Sequence, residues 1–324
     1  MSSPEDQADD ALRRRPSAPM VTGEAAGEIR AIARDARTLG VKLAEVAGYY
    51  VDQGLGTGIF LALRLGMPLL LEGEPGVGKT QAAKAIATVL DTPLIRLQCH
   101  EGIDASEALY EWNYPRQLLS IRLADSADHK DTKHDVFGPD YLIRRPLLRA
   151  LEHPGPRPAV LLIDEIDRAD PDFEAFLLEL LAESTVTIPE LGTIRATHPP
   201  IIVLTSNRTR ELHDAIKRRC LYQWLEYPTA AREAEILHRR SGGTPKKLTG
   251  QVAIAVSRLR KLDIQKPPGI AEAIDWLGAL NLLGYETLDV DAIDVTLGSV
   301  LKYTEDQTEL RNEGLDSLLM KATA

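Results

Sequence analysis

Apolar positions along this chain follow two rhythms. Between residues 66 and 226 they gather into short runs at 68–71, 93–97, 159–163, 200–205 and 221–225. Apolar runs of that length predict strands buried on both faces. Helical spacing intervenes at 80–90 and 173–183, and strands alternating with helices predict an α/β fold built on a doubly wound parallel sheet. Ahead of the first run, Asp52 is placed to cap a helix carrying Leu55, Ile59 and Leu63 and closing at Gly66. Residues 29–46 form a further helical stretch with a small apolar face.

Beyond Pro228 the strand signals stop. Helical periods run over 230–240, 248–262, 270–283 and 290–303, broken at Ser241-Gly242-Gly243 and at Lys266-Pro267-Pro268-Gly269. The expected organisation is an acidic tail at 1–27, an α/β domain at 28–227 and an all-α domain at 228–324. Residues 1–27 carry few large apolar side chains and predict disorder. A polar stretch at 101–145 is too long for a simple connection, so it is expected to be an insertion with a task of its own.

Charge narrows the field of partners. Lys and Arg total 38 against 48 for Asp and Glu, a formal charge of −10, which disfavours sequence-independent binding to nucleic acid. The two cysteines, Cys99 and Cys220, build no disulfide framework and suit a reducing compartment. No secretory h-region opens the chain, and the most apolar stretch, 59–71, is short and holds Arg64, so no membrane span is expected. A cytoplasmic protein is the expectation.

The chemistry concentrates at four places. Gly73-Glu74-Pro75-Gly76-Val77-Gly78-Lys79-Thr80 fits G-x-x-x-x-G-K-[ST], follows a strand and, with Gln81, opens a helix. Such a loop brings backbone N–H groups to phosphates at a helix N-terminus. Lys79 would reach the β- and γ-phosphates of ATP, and Thr80 would offer its hydroxyl to Mg2+. The run at 159–163 ends in Asp164 and Glu165, at the strand end where ligands sit in open α/β sheets. Asp164 suits magnesium, and Glu165 is placed to orient or deprotonate water; alone, an Asp-Glu pair is an ordinary helix-cap signature. Another run ends at Ser206-Asn207, where an amide can hold the attacking water or simply make a turn. Finally, Lys217-Arg218-Arg219 closes a helix before the last run; basic residues there complement a helix dipole, and phosphoryl transfer gains from an arginine supplied in trans.

In that order the four elements resemble the Walker A, Walker B, sensor 1 and arginine-finger signatures of AAA+ ATPases. The resemblance implies the P-loop NTPase fold with a C-terminal all-α lid, ATP and Mg2+ as cofactors, and a homo-oligomeric ring, usually a hexamer. It gives Lys79, Glu165 and Asn207 catalytic roles and makes Arg219 the finger, with Arg218 as the alternative. Asp164-Glu165-Ile166-Asp167-Arg168-Ala169, followed by the apolar stretch from Phe176 and by Val186-Thr187-Ile188, is similar to the MoxR family. That likeness makes 185–196 a β-hairpin before sensor 1 and puts the second-helix insertion within 101–145. The segments from Tyr110 to Arg116 and from Leu142 to Leu147 resemble the CoxD-like subgroup, which serves carbon monoxide dehydrogenase maturation. The family implies a chaperone-like remodeller of a metalloenzyme, with a von Willebrand factor A domain partner. A nucleotide-dependent binding switch with little turnover and a DNA-linked motor are the competing readings. One departure stands out: Ile270 occupies the place expected for the sensor 2 arginine, with Lys266 as the nearest cation.

Three weaker features complete the reading. His129 and His134, with Asp128, Asp131 and Asp135, have metal-ligand chemistry but read better as a solvated loop. Tyr110, Trp112 and Tyr114 form either a partner patch or an anchor for the insertion. Cys99 reads as a small buried hydrophobe.

Overall fold

The computed structural model describes residues 24–126 and 137–319. The chain divides into two compact units, one of Met1–Glu72 with Thr80–Trp224, the other of Gly73–Lys79 with Leu225–Ala324.

In the first unit, α1 (Glu24–Ile32), α2 (Ala36–Ala47) and α3 (Gln53–Leu65) precede the sheet. Helix already begins at Glu24, inside the stretch expected to be tail, while residues 1–23 lie outside the described residues. The helix expected over 29–46 is in fact two. Asp35 ends the first pairing by capping the second, its carboxylate accepting from the Thr38 N–H at 2.7 Å. Asp52 caps α3 in the same way, through the Leu55 N–H at 2.7 Å, and Gly66 ends it in the left-handed region.

The strands are β1 (Leu69–Gly73), β2 (Leu94–Gln98), β3 (Tyr110–Trp112), β4 (Leu142–Arg144), β5 (Val160–Asp164), β6 (Thr185–Ile188), β7 (Gly192–Arg195), β8 (Ile201–Ser206) and β9 (Leu221–Leu225). Five of them form one sheet in the order β2-β5-β8-β1-β9. The β2/β5, β5/β8 and β1/β8 pairs are parallel. Every residue of β1 and β5 is buried, which explains why these strands read as unbroken apolar runs. Helices α4 (Lys79–Leu90), α5 (Ala105–Ala108), α6 (Tyr114–Ser126), α7 (Pro146–Leu151), α8 (Pro171–Glu183) and α9 (Asp214–Lys217) complete this region.

The stretch at 101–145 is structured at both ends. β3 and β4 pair antiparallel and place Trp112 opposite Leu142 in the core. Trp112 is buried, meeting Tyr110 and Phe137 edge to face, so it anchors the insertion, whereas Tyr114 is exposed. The histidine and aspartate group at 128–135 lies outside the described residues. Among those described, no cluster of His, Cys, Asp and Glu suits a metal.

The second unit packs α10 (Ala230–Arg240), α11 (Lys246–Leu259), α12 (Ile270–Leu282), α13 (Val290–Val300) and α14 (Thr304–Glu313) around Trp276. The indole N–H of Trp276 donates to the Thr296 hydroxyl at 2.7 Å, so this fully buried ring leaves no polar atom unsatisfied. α14 has no counterpart in the sequence reading. No described helix is long and apolar enough to cross a membrane.

Candidate active site

Asp164 closes β5 with its carboxylate almost fully buried. The Thr80 hydroxyl lies 3.0 and 3.2 Å from its two oxygens, and the Thr205 hydroxyl donates to Oδ1 at 2.5 Å. Parallel pairing of β5 with β8 carries Thr205 to this end of the sheet. The Thr205 oxygen also accepts from the Glu165 N–H at 2.9 Å, so one hydroxyl fixes both acids. Glu165 sits in the left-handed region at φ 56°, a conformation unfavourable for a residue with a side chain and the kind of backbone outlier that gathers at functional sites.

Three side chains frame the Glu165 carboxylate. Gln98 Nε2 donates to Oε2 at 3.0 Å, Arg168 Nη1 lies 3.2 Å from the same oxygen, and Asn207 Nδ2 reaches Oε1 at 3.5 Å. Asn207 is held by its backbone, whose N–H donates to buried Asp167 at 3.2 Å. Thr209 adds its own N–H at 2.9 Å and its hydroxyl at 2.7 Å to that carboxylate. Cys99 is buried nearby, and its thiol is pushed up to about 12, first by burial and then by Asp164, Asp167 and Glu165. It stays a neutral thiol, as its reading as a hydrophobe requires.

In the second unit the loop Gly73–Lys79 is folded back on its own lysine. Lys79 Nζ donates to the Gly73 carbonyl at 2.7 Å and to that of Glu74 at 2.8 Å. An ammonium already turned over backbone oxygens has its donors gathered where phosphate oxygens can replace them. Gly76 requires its lack of a side chain twice over. Its φ is +76°, and a Cβ would stand 2.6 Å from the Gly269 Cα. Beside that contact the Ile270 N–H donates to the Gly76 carbonyl at 3.0 Å, and Tyr227 Oη donates to the Pro75 carbonyl at 3.1 Å. At Ile270, the position that the family resemblance gives to sensor 2, backbone therefore meets backbone.

Arg218 and Arg219 follow the single turn of α9. Arg219 Nη1 donates to the Ala215 carbonyl at 3.0 Å, an exposed bond of the kind that closes a helix. The structure thus groups Thr80, Asp164, Glu165 and Asn207 and leaves the two arginines apart from them within the first unit. It also adds Gln98, Thr205 and Asp167, which sequence reading passed over. Gln98 and Thr205 sit at the ends of runs read only as strands, and the polar ends of those strands were the available signal.

Hard oxygens from Thr80 and Asp164 are the donor set that magnesium prefers. Residues 68–220 match the AAA domain family of the dynein-related subfamily. That domain match and the relatives below support an AAA+ ATPase of MoxR type. The chain is similar to the protein NorQ of Paracoccus denitrificans, 25% identical over 217 residues that cover 64% of this chain and 71% of the relative. The denitrification regulatory protein NirQ of Pseudomonas aeruginosa is 26% identical over 63% of this chain and 73% of its own length. The gas vesicle ATPase GvpN of Haloferax mediterranei is 26% identical over 78% and 73% respectively. Among solved structures, a Thermotoga maritima RuvB Holliday junction branch migration motor is 17% identical, covering 83% of this chain and 68% of its own, with a TM-score of 0.40.

Proposed function

We propose that this AAA+ protein binds ATP with Mg2+ and hydrolyses it to ADP and phosphate as a homo-oligomeric ring, a hexamer, in the cytoplasm. The observation that carries the reading is the grouping of Thr80, Asp164 and Glu165 at one strand end, with Asn207 beside Glu165. Gly73, Glu74, Pro75, Gly76, Val77, Gly78, Lys79, Thr80 and Gln81 hold the nucleotide. Its phosphates take the Lys79 donors that now rest on backbone carbonyls, and the metal is held through Thr80 and Asp164. Glu165, framed by amide donors, accepts a proton from water while Asn207 orients it. Arg219, with Arg218 as the alternative, reaches the γ-phosphate held by a neighbouring subunit.

The ring serves as a chaperone-like remodeller in metalloenzyme maturation or cofactor insertion, with a von Willebrand factor A domain partner. Support comes from the family and from the CoxD-like segments around Tyr110 and Leu142. The exposed apolar side chains Tyr114, Leu118, Leu119 and Leu123 on α6 and the hairpin of β6 and β7 are surfaces suited to a partner. The test is ATP turnover by the full chain beside its Glu165→Gln variant, followed by capture of bound proteins on that variant. The expected result is turnover in the wild type, nucleotide binding without turnover in the variant, and a retained von Willebrand factor A domain protein. Binding without turnover in the wild type would favour a switch over an ATPase.

A further inference from the structure

Arg96 and Gln98 stand two residues apart on β2, so their side chains leave the same face of the strand. The register of β2 with β5 sets Gln98 against Asp164. Arg96 reaches the same carboxylate. Its Nε donates to Asp164 Oδ2 at 2.9 Å, and its Nη2 lies 2.6 Å from that oxygen. The two partners differ sharply in freedom, since the Asp164 side chain is 3% exposed and that of Arg96 is 50% exposed. One is fixed within the sheet, and the other can leave into water.

A carboxylate offers about four acceptor positions on its two oxygens. At Asp164 the Thr80 hydroxyl straddles both oxygens, Thr205 takes Oδ1, and two guanidinium nitrogens crowd Oδ2. Nothing remains on Oδ2 for a water of a magnesium shell. We propose that Arg96 is the resident counter-ion of Asp164, competing with magnesium for it and so setting the magnesium concentration at which the site fills. The inference rests on the nucleotide reading above and adds to it a residue that tunes metal affinity.

The physical logic is charge replacement. A buried carboxylate beside Glu165 and Asp167 needs a cation in the metal-free protein, and a half-exposed arginine supplies one that water can reclaim. When a divalent cation takes that role, the guanidinium is repelled and turns outward toward solvent and the Gln98 amide oxygen, which it already touches. Arg96 is thus a positioning residue, acting on the metal through Asp164.

The experiment compares the full-length wild type with Arg96→Met, which keeps most of the stem and removes the charge, and with Arg96→Lys, which keeps a charge. A fluorescent ADP analogue is bound first in EDTA and then titrated with magnesium. The half-saturating magnesium concentration should fall about tenfold in Arg96→Met, the scale of one competing charge-assisted pair near the surface, and lie between in Arg96→Lys. Metal-free nucleotide affinity should change little. A magnesium midpoint that stays put or rises in Arg96→Met overturns the inference. Failure of the wild type to bind the analogue at all overturns the nucleotide reading instead. A second readout needs no nucleotide: magnesium should raise the thermal midpoint of Arg96→Met at concentrations that leave the wild type unmoved, and equal responses count against the inference. Arg96→Lys keeps both readouts usable should Arg96→Met fold poorly.

Discussion

Replacing Glu233 with Gln should unsettle the helical unit far more than one exposed ion pair would. Glu233 on α10 is fully buried, and Arg260, just past α11, is 7% exposed. Arg260 grips both carboxylate oxygens at 2.7 Å, donates from Nε to the Pro268 carbonyl at 2.7 Å, and lies 4.1 Å from the Tyr227 ring centroid. An amide at position 233 offers one acceptor and turns a donor against a guanidinium donor. Breaking a buried pair by removing one partner costs about 3–5 kcal/mol. Here the cost lies in the amide donor set against the guanidinium, which a protonated carboxyl, with an acceptor on both oxygens, avoids. Hydrogen exchange of the amides in α10 and α11 reads this directly, and protection should fall between about 100-fold and several thousand-fold. Replacing both partners by apolar residues, Glu233→Leu with Arg260→Met, should recover most of that loss, because no uncompensated charge stays buried.

The same site predicts a pH dependence. Burial pushes the Glu233 carboxyl up from the ordinary 4.5, and the hydrogen bonds and charge of Arg260 pull it back only in part. An acid raised on folding binds its proton more tightly in the folded state. Its contribution is therefore fully present below 4.5 and is lost as pH rises through the folded value. Glu233→Gln should flatten that slope. A cost below about 1 kcal/mol, typical of an exposed pair, together with an unchanged slope, would refute the reasoning.

Two further outcomes are expected. Gly73→Ala would set a Cβ 2.3 Å from the Leu225 carbonyl oxygen at a φ of +156°. It should lower thermal stability by more than the roughly 1 kcal/mol of an ordinary glycine replacement and weaken nucleotide binding, as read by calorimetry; a neutral result would mean the loop is not fixed there. Deleting the hairpin of β6 and β7 should leave ATP affinity within about twofold by fluorescent-nucleotide titration, since none of its side chains bonds to Thr80, Asp164 or Glu165. Loss of binding in a folded variant would place the hairpin in the nucleotide site.

What the sequence disclosed, and what it hid, follows from how each residue is held. The strands were legible because burial on both faces leaves apolar residues no alternation. Their order, β2-β5-β8-β1-β9, was not, because crossovers leave no mark in hydropathy. α6 escaped notice since Leu118, Leu119 and Leu123 face solvent, giving the helix no single apolar face. α14 escaped because its buried positions are only Asp306 and Leu310, and Asp306 works through its carboxylate, accepting from the Gln265 N–H at 2.9 Å. At the site, Lys79, Thr80, Asp164 and Glu165 belong to contiguous motifs whose spacing is itself the signal. Arg96, Gln98 and Thr205 act across strands, and only the sheet register brings them to the acids they hold, while Asp167 takes the N–H groups of Asn207 and Thr209 from the far side of β8 in the sequence.

The central claim is a shared site in which Arg219 acts on ATP bound by a neighbour, and mixing two inactive variants tests it most directly. Arg219→Ala subunits keep their phosphate loop, and Lys79→Ala subunits keep their arginine. Each alone should turn ATP over about a thousandfold slower than the wild type or worse, the scale reported for losing such an arginine. Mixed rings should regain activity, because some interfaces then pair an intact loop with an intact arginine, and specific activity should rise with protein concentration. If Arg219→Ala alone keeps wild-type turnover per folded subunit, or if mixing restores nothing, Arg219 only closes its helix through the Ala215 carbonyl, and the shared site is contradicted.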